Sequence, residues 1–273
     1  MAKMNIVVYD KNMRDTVYNV YKKIGETPLA CIQRLRVTYP ELKNKKLTYA
    51  GRLDPLAEGV LIILADESIK RKKEYLSLPK EYKFDILFGV ATDTHDILGK
   101  ITKLSLPTEI LPESLKSILL ALIGSATQTY PAYSSKTVRG KHLFEWARGD
   151  RLTEIDIPNR QVEIFSLDIV GSYVLTSAAL ANFIADRISK VHGDFRQDEI
   201  RQLWKLNFAR IGSCRHHIYT LKVSCSSGTY VRALVEKLAL LLDTSAVALH
   251  IKRVSVGDYT LKQSLKLPVP LPE

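Results

Sequence analysis

Cysteine is scarce and scattered: Cys31, Cys214 and Cys225 lie far apart, are odd in number and form no C-x-x-C pair. No disulfide framework is expected, and a reducing compartment suits the chain. His216-His217 stands near Cys214, but adjacent histidines share no helix face and no second ligand pair follows, so packing is expected rather than a metal site. No apolar run approaches ~20 residues, and Met1-Ala2-Lys3-Met4-Asn5-Ile6-Val7-Val8-Tyr9 has no signal-peptide core. No membrane partner is expected, and a cytoplasmic location is. Internal repeats and low-complexity tracts are missing too, and with 46% hydrophobic residues in 273 the chain can bury a large core. Acid is in short supply: 29 Asp and Glu against 40 Lys and Arg leave a formal charge of +11. That excess favours a polyanion over an acidic small molecule, because neutralising phosphates releases counterions; a merely soluble basic surface would carry the same charge.

Ile6 to Tyr9 is a short β-type run ended by Asp10-Lys11-Asn12. Thr27-Pro28 pairs a capping residue with a proline suited to the first helical position. Leu29, Ile32, Leu35 and Arg36 follow at helical spacing, and the helix should stop before Tyr39-Pro40. Val60-Leu61-Ile62-Ile63-Leu64 predicts a strand buried on both faces. Tyr82 to Val90, Gln161 to Val170 and His217 to Cys225 alternate as strands, and Leu115, Ile118, Leu119 and Leu122 mark a helix over Pro112 to Ile123. Leu175 to Phe208 reads as two helices divided by Gly193-Asp194. They would either grip a nucleic acid, with Arg187, Lys190, Arg196 and Arg201 on the wet side, or stabilise the sheet. The second reading is preferred because both apolar faces need burial.

Gly228 turns the third strand into a helical run, Val231 to Leu242, and so puts Thr229, Tyr230 and Arg232 at a helix N-terminus, a favourable place for a phosphate or carboxylate. Asp54 lies between Leu53 and Pro55, where Gly51 and Gly59 permit tight backbone geometry and apolar neighbours thin out water. Such a carboxylate can act as a nucleophile, although on chemistry alone a turn aspartate is the simpler reading. Arg232 would keep it ionised if the two met. Tyr82, after Leu78-Pro79-Lys80-Glu81, suits stacking on an extruded base or ordinary strand packing. Tyr230 suits either a core position or proton transfer.

Five stretches, in order, resemble the tRNA pseudouridine synthase B (TruB) family. Gly51-Arg52-Leu53-Asp54-Pro55-Leu56-Ala57-Glu58-Gly59-Val60-Leu61 is similar to its G-x-L-D-P-x-A-[TS]-G-V-L signature. Lys22-Lys23-Ile24-Gly25-Glu26-Thr27 resembles K-P-x-G-x-T, and Gly89-Val90-Ala91-Thr92-Asp93-Thr94-His95-Asp96 resembles G-x-x-T-D-T-x-D. The stretch from Tyr130-Pro131-Ala132-Tyr133-Ser134-Ser135-Lys136 to Ala147-Arg148 resembles the P-x-Y-S-A-x-K block, and Cys225 to Arg232 matches C-S-x-G-T-Y-[IV]-R.

The resemblance implies an α+β pseudouridine-synthase fold, with a mixed, mostly antiparallel sheet flanked by helices. It implies isomerisation of uridine to pseudouridine without metal or cofactor, at uridine 55 in the T loop of tRNA. Asp54 would be the nucleophile, attacking the ribose C1′ or the base C6, with Arg232 orienting it and Tyr82 stacking on the base. Tyr49, Arg52, Tyr230, Ile251, Lys22 and Lys136 would contact substrate. A monomer made of one catalytic domain is expected over 1–273, with a helical insertion at 172–212 and no C-terminal PUA domain. Tyr49 stands where the family has histidine, and Glu58 replaces a small hydroxyl residue, adding charge near Asp54. Because Gly51-Arg52-Leu53-Asp54 with Glu58-Gly59 also resembles the ribosomal small-subunit synthase signature G-R-L-D-x-x-[TS]-E-G-L-L, ribosomal RNA is the alternative substrate. A non-catalytic RNA-folding module is a further alternative.

Overall fold

The apolar run at Val60 forms the middle of a strand whose residues 59–65 are all buried, as a strand covered on both faces requires. The structure, a computed structural model, describes residues 8–9, 16–107 and 109–268. Of the first expected strand only Val8–Tyr9 is therefore seen; Ile6, Val7 and the Asp10-Lys11-Asn12 turn lie outside the described residues. The first strands are β1 (Val8–Tyr9), β2 (Thr16–Lys22), β3 (Leu47–Ala50), β4 (Glu58–Ala65), β5 (Lys80–Phe88), β6 (Val90–Thr92) and β7 (Ile101–Leu104). There follow β8 (Gly124–Thr129), β9 (Thr137–Val138), β10 (Lys141–His142), β11 (Asn159–Thr176), β12 (Arg215–Cys225), β13 (Ala246–Val256) and β14 (Tyr259–Thr260). The helices are α1 (Pro28–Thr38), α2 (Lys72–Ser77), α3 (Pro112–Ala121), α4 (Leu143–Arg148), α5 (Ser177–Ser189), α6 (Gln197–Ile211) and α7 (Val231–Leu241).

The main sheet runs β1-β2-β4-β13-β5-β12-β11-β8, with β3 added to β4 and β14 to β13. Every pairing in it is antiparallel except β13 with β4. The expected α+β class, a mostly antiparallel sheet flanked by helices, is the observed one. At the parallel contact β13 approaches so closely that a Cβ on Gly59 would stand 2.1 Å from the Arg253 carbonyl, and Gly59 has φ +112°. Only glycine fits there.

Strand β5 shows how the two faces are filled. Phe84 and Ile86 join Leu221 and Val223 under Leu115 and Leu119 of α3 and Leu234 and Leu238 of α7. Leu87 faces the other way, with Ile218, Val247 and Leu249, and meets Leu180, Ile184, Trp204 and Phe208 of α5 and α6. Burying side chains of this size is worth about 1.5–3 kcal/mol each, so the apolar faces of α5 and α6 hold the two helices on the sheet. In α1, Thr27 caps the helix by accepting from the Ala30 N–H, and Ile32 and Leu35 are buried. Leu29 departs from the expected stripe: it is exposed and lines the cavity described next.

Candidate active site

Asp54 stands in the loop between β3 and β4, and two buried cations hold that loop by its carbonyls. Lys22 Nζ donates to Asp54 O (3.0 Å), Pro55 O (3.2 Å) and Ala57 O (2.6 Å). Arg253 donates to Gly51 O (3.1 Å), Arg52 O (3.4 Å) and Val60 O (2.7 Å). Lys22 was expected to contact substrate, and the structure corrects this. Its side chain is fully buried, burial drags its pKa down to about 8, and its N–H groups are spent on the loop, so it positions Asp54's backbone instead. Arg253 went unread in the sequence; a lone arginine in a strand gives no sign that it will be buried.

The structure brings Arg232 to Asp54. Arg232 is at the start of α7, and its Nε donates to Asp54 Oδ2 at 2.8 Å. Its Nη1 donates to Thr94 O (2.8 Å) and its Nη2 to Tyr133 O (3.2 Å), while Asp96 Oδ2 lies 3.8 Å from Nε. The planar fork of arginine suits several fixed acceptors at once. Asp54 remains 32% exposed while Arg232 is 3% exposed, so the carboxylate is held from behind and open in front. Burial raises the pKa of the Asp96 carboxyl against the opposing pull of Arg232.

Asp54 opens into a cavity of about 610 Å³ that Tyr82, Tyr230, Ile251, Tyr49 and Arg52 also line. Tyr82 arrives on β5, beside Arg253 in the register with β13, and Ile251 on β13. Tyr230 caps α7; its backbone N–H and carbonyl are both held by Gln128, and its ring meets Tyr130 edge-on at 5.7 Å. Burial, then the charge of Asp54, raises the Tyr230 hydroxyl's pKa, so it stays protonated at neutral pH. Lys136 is not in the cavity lining; its ammonium lies 5.3 Å over the ring of Tyr130, the edge-on partner of Tyr230. The Tyr49 hydroxyl accepts from Arg52 at 3.1 Å. Six arginines (Arg52, Arg148, Arg160, Arg196, Arg232 and Arg253) outnumber the four carboxylates of Glu26, Asp54, Asp96 and Asp194 in the lining, an electrostatic setting for a polyanion.

Residues 40–180 match the model of a family described as TruB family pseudouridylate synthase (N terminal domain). The chain belongs to the TruB family. A relative named tRNA pseudouridine synthase B from Limosilactobacillus reuteri is 32% identical over 254 residues, covering 93% of this chain and 71% of its own. A relative of the same name from Caldanaerobacter subterraneus subsp. tengcongensis is 30% identical, covering 93% and 73%. Among solved structures, a Cbf5-Nop10-Gar1 complex shares the fold with a TM-score of 0.55 at 14% identity. That match covers 89% of this chain and 49% of the other, so this TruB-family chain spans about half the length of its structural neighbour.

Two TruB-family departures look different in three dimensions. Glu58 does not line the cavity: its carboxylate accepts from Tyr21 (2.5 Å) and lies 3.0 Å from His250 Nε2 and 3.4 Å from Lys252 Nζ. The charge expected near the nucleophile is thus spent on joining β2, β4 and β13. Burial pushes the Glu58 carboxyl up, but hydrogen bonds from His250 and Tyr21 outweigh it and hold the pKa at about 2. Burial pushes His250 down, but Asp85 and Glu58 raise it above the ordinary 6.5. Glu58 therefore adds stability above its ordinary 4.5, lost as pH falls toward about 2. His250 adds stability below 6.5, lost as pH rises through its raised value. The clamp is strongest where these windows overlap. Glu58→Gln should cost about 1–3 kcal/mol at pH 6, with a smaller deficit at pH 3 and pH 9; denaturant melts across that range check the shape.

The second departure is Tyr49, in the histidine position, which sits at the cavity wall under the Lys72 ammonium, 5.6 Å from its ring centroid. Among the described residues no group of three or more His, Cys, Asp or Glu is placed to hold an ion. His216 is buried against Ser177, and His217 stacks on Tyr219.

Proposed function

We propose that this chain converts uridine to pseudouridine in RNA, at uridine 55 in the T loop of tRNA, with Asp54 as nucleophile and without metal or cofactor. The reaction is an isomerisation. The bond from C1′ to N1 breaks, one from C1′ to C5 forms, C5 gives up a proton and N1 gains one. Asp54 bonds to the nucleotide and leaves again as the new C1′–C5 bond is completed, and a proton carrier takes the C5 proton and supplies N1. The observation that carries the reading is the Asp54–Arg232 pair, backed by the buried fork and open to the cavity.

Tyr82 serves as the platform for a base flipped out of its stack, and Ile251 as an apolar wall. Tyr230 moves a proton between C5 and N1, and Tyr49 and Arg52 meet the RNA at the mouth, where the arginine excess neutralises phosphate. Lys136 supports the Tyr130–Tyr230 pair from outside. The chain works as a monomer in the cytoplasm, as one catalytic domain in which 172–212 is an insertion. The relatives' common name favours tRNA over ribosomal RNA, and the intact Asp54–Arg232 geometry favours an enzyme over a non-catalytic module. Mapping pseudouridines in RNA from a deletion strain tests the substrate: loss confined to T-loop uridine 55 is expected, and loss confined to ribosomal RNA would sink the tRNA assignment.

A further inference from the structure

The α5–α6 hairpin does more than cover the sheet, because its connecting turn enters the catalytic cavity. Asp194, Phe195 and Arg196 all line that cavity. In the nucleic-acid-gripping alternative Arg196 would stand on the wet side with Arg187, Lys190 and Arg201. Lys190 and Arg201 are exposed and pair with Asp186 and Asp198, whereas Arg187 is half-buried over Phe183 with its Nη1 enclosed. Arg196 turns toward the cavity. Its Nη1 donates to Asp93 Oδ2 at 2.7 Å and to the Tyr133 hydroxyl at 2.9 Å, and its guanidinium lies 4.5 Å from the Tyr133 ring centroid. Its backbone takes a left-handed conformation, φ 63° and ψ 27°, an uncommon state for a residue with a side chain and one that persists when surrounding contacts hold it.

Of the two residues Arg196 grips, Tyr133 itself holds Arg232 and Asp93 adjoins one that does. Asp93 precedes Thr94, whose carbonyl accepts from Arg232 Nη1, and the Tyr133 carbonyl accepts from Nη2. One guanidinium thus ties together the two segments that supply the seat for another. The hairpin has further anchors. Arg148 of α4 donates to the Asp194 carbonyl at 2.5 Å, and Lys190 packs so tightly on Gly25 that a Cβ there would stand 1.8 Å from the Lys190 carbonyl. Gly25 N–H in turn donates to Pro55 O, next to Asp54, at 2.9 Å.

From this geometry we infer that the α5–α6 hairpin is a clamp on the catalytic centre, and that Arg196 is a positioning residue that sets Arg232, and through it Asp54, for the isomerisation. The inference rests on the function proposed above. It separates the step it affects: Arg196, its Nη1 already engaged by Asp93 and Tyr133, acts on the geometry of chemistry more than on capture of the RNA.

The test compares Arg196→Ala, Arg196→Lys and Asp93→Asn with the wild-type chain, measuring single-turnover pseudouridine formation with enzyme in saturating excess over T-arm RNA, RNA Kd and thermal melting. A misplacement of about 1 Å costs on the order of 10²-fold in rate, so Arg196→Ala should slow the chemical step about 10- to 100-fold while Kd shifts less than about threefold. Arg196→Lys, which keeps charge but loses the fork, should recover part of the rate. Because both residues act in one contact, the Arg196→Ala/Asp93→Asn double variant should be no slower than the worse single. Wild-type turnover in the same assay speaks to the functional reading by itself, so a failed clamp leaves that reading standing. Three results would overturn the clamp: an unchanged rate in Arg196→Ala, an RNA Kd weakened as much as the rate falls, or fully additive losses in the double variant.

Discussion

Asp54→Asn should lower pseudouridine formation by at least about 10⁴-fold, the scale on which enzymes lose rate when a nucleophile is removed. The carboxamide fills the same volume and its oxygen still accepts from Arg232 Nε, so the loop held by Lys22 and Arg253 has no cause to move. What disappears is the negative charge and the nucleophilic oxygen facing the cavity. RNA affinity should stay within about threefold, because phosphate contacts carry most of it and the substitution removes none of them. Single-turnover rates and filter binding on T-arm RNA measure both. A variant within about tenfold of the wild-type rate would mean that Asp54 is a turn residue after all.

Arg232→Ala should be the most disruptive substitution for the protein itself. It leaves the Thr94 and Tyr133 carbonyls without their donor and strips the cation from beside Asp54 and Asp96, in a site where the arginine was 3% exposed. Removing one partner of a buried ion pair costs about 3–5 kcal/mol. At about 2–4 °C per kcal/mol for a chain of this size, a clear fall in Tm is expected. Loss of that cation would push the Asp96 carboxyl, already raised by burial, further toward its protonated form. Arg232→Lys separates catalysis from folding, because the ammonium restores charge but cannot reach three divergent acceptors. It should lose about 1–3 kcal/mol of stability and about 10²- to 10⁴-fold in rate. Wild-type turnover in a folded Arg232→Lys variant would remove the orienting role assigned to the fork.

The expected elements were legible where one force dominated. The run at Val60 is strand because both faces are covered, and α1 starts at Thr27-Pro28 because cap and ring agree. Strand β13 was not read, since His250, Lys252 and Arg253 interrupt a stretch that tertiary neighbours nevertheless bury. Asp54, Tyr82, Tyr230, Arg232 and Ile251 were legible as candidates through motif resemblance, but their meeting at one cavity depends on strand order and not on local spacing. Lys22, expected to contact substrate, and Arg196, on the wet side only in the nucleic-acid-gripping alternative, escaped a local reading for the same reason. Lysine and arginine in polar stretches are usually solvated, and here loop carbonyls more than 30 residues away bury one and Asp93 with Tyr133 draws in the other.

The most direct measurement is turnover by the purified chain on an unmodified T-arm RNA, with chelator present and no cofactor added, followed by mapping pseudouridine at single-nucleotide resolution. Multiple turnovers yielding pseudouridine at uridine 55 alone are the predicted result. RNA that is bound at the same concentrations yet keeps every uridine unchanged would contradict the assignment.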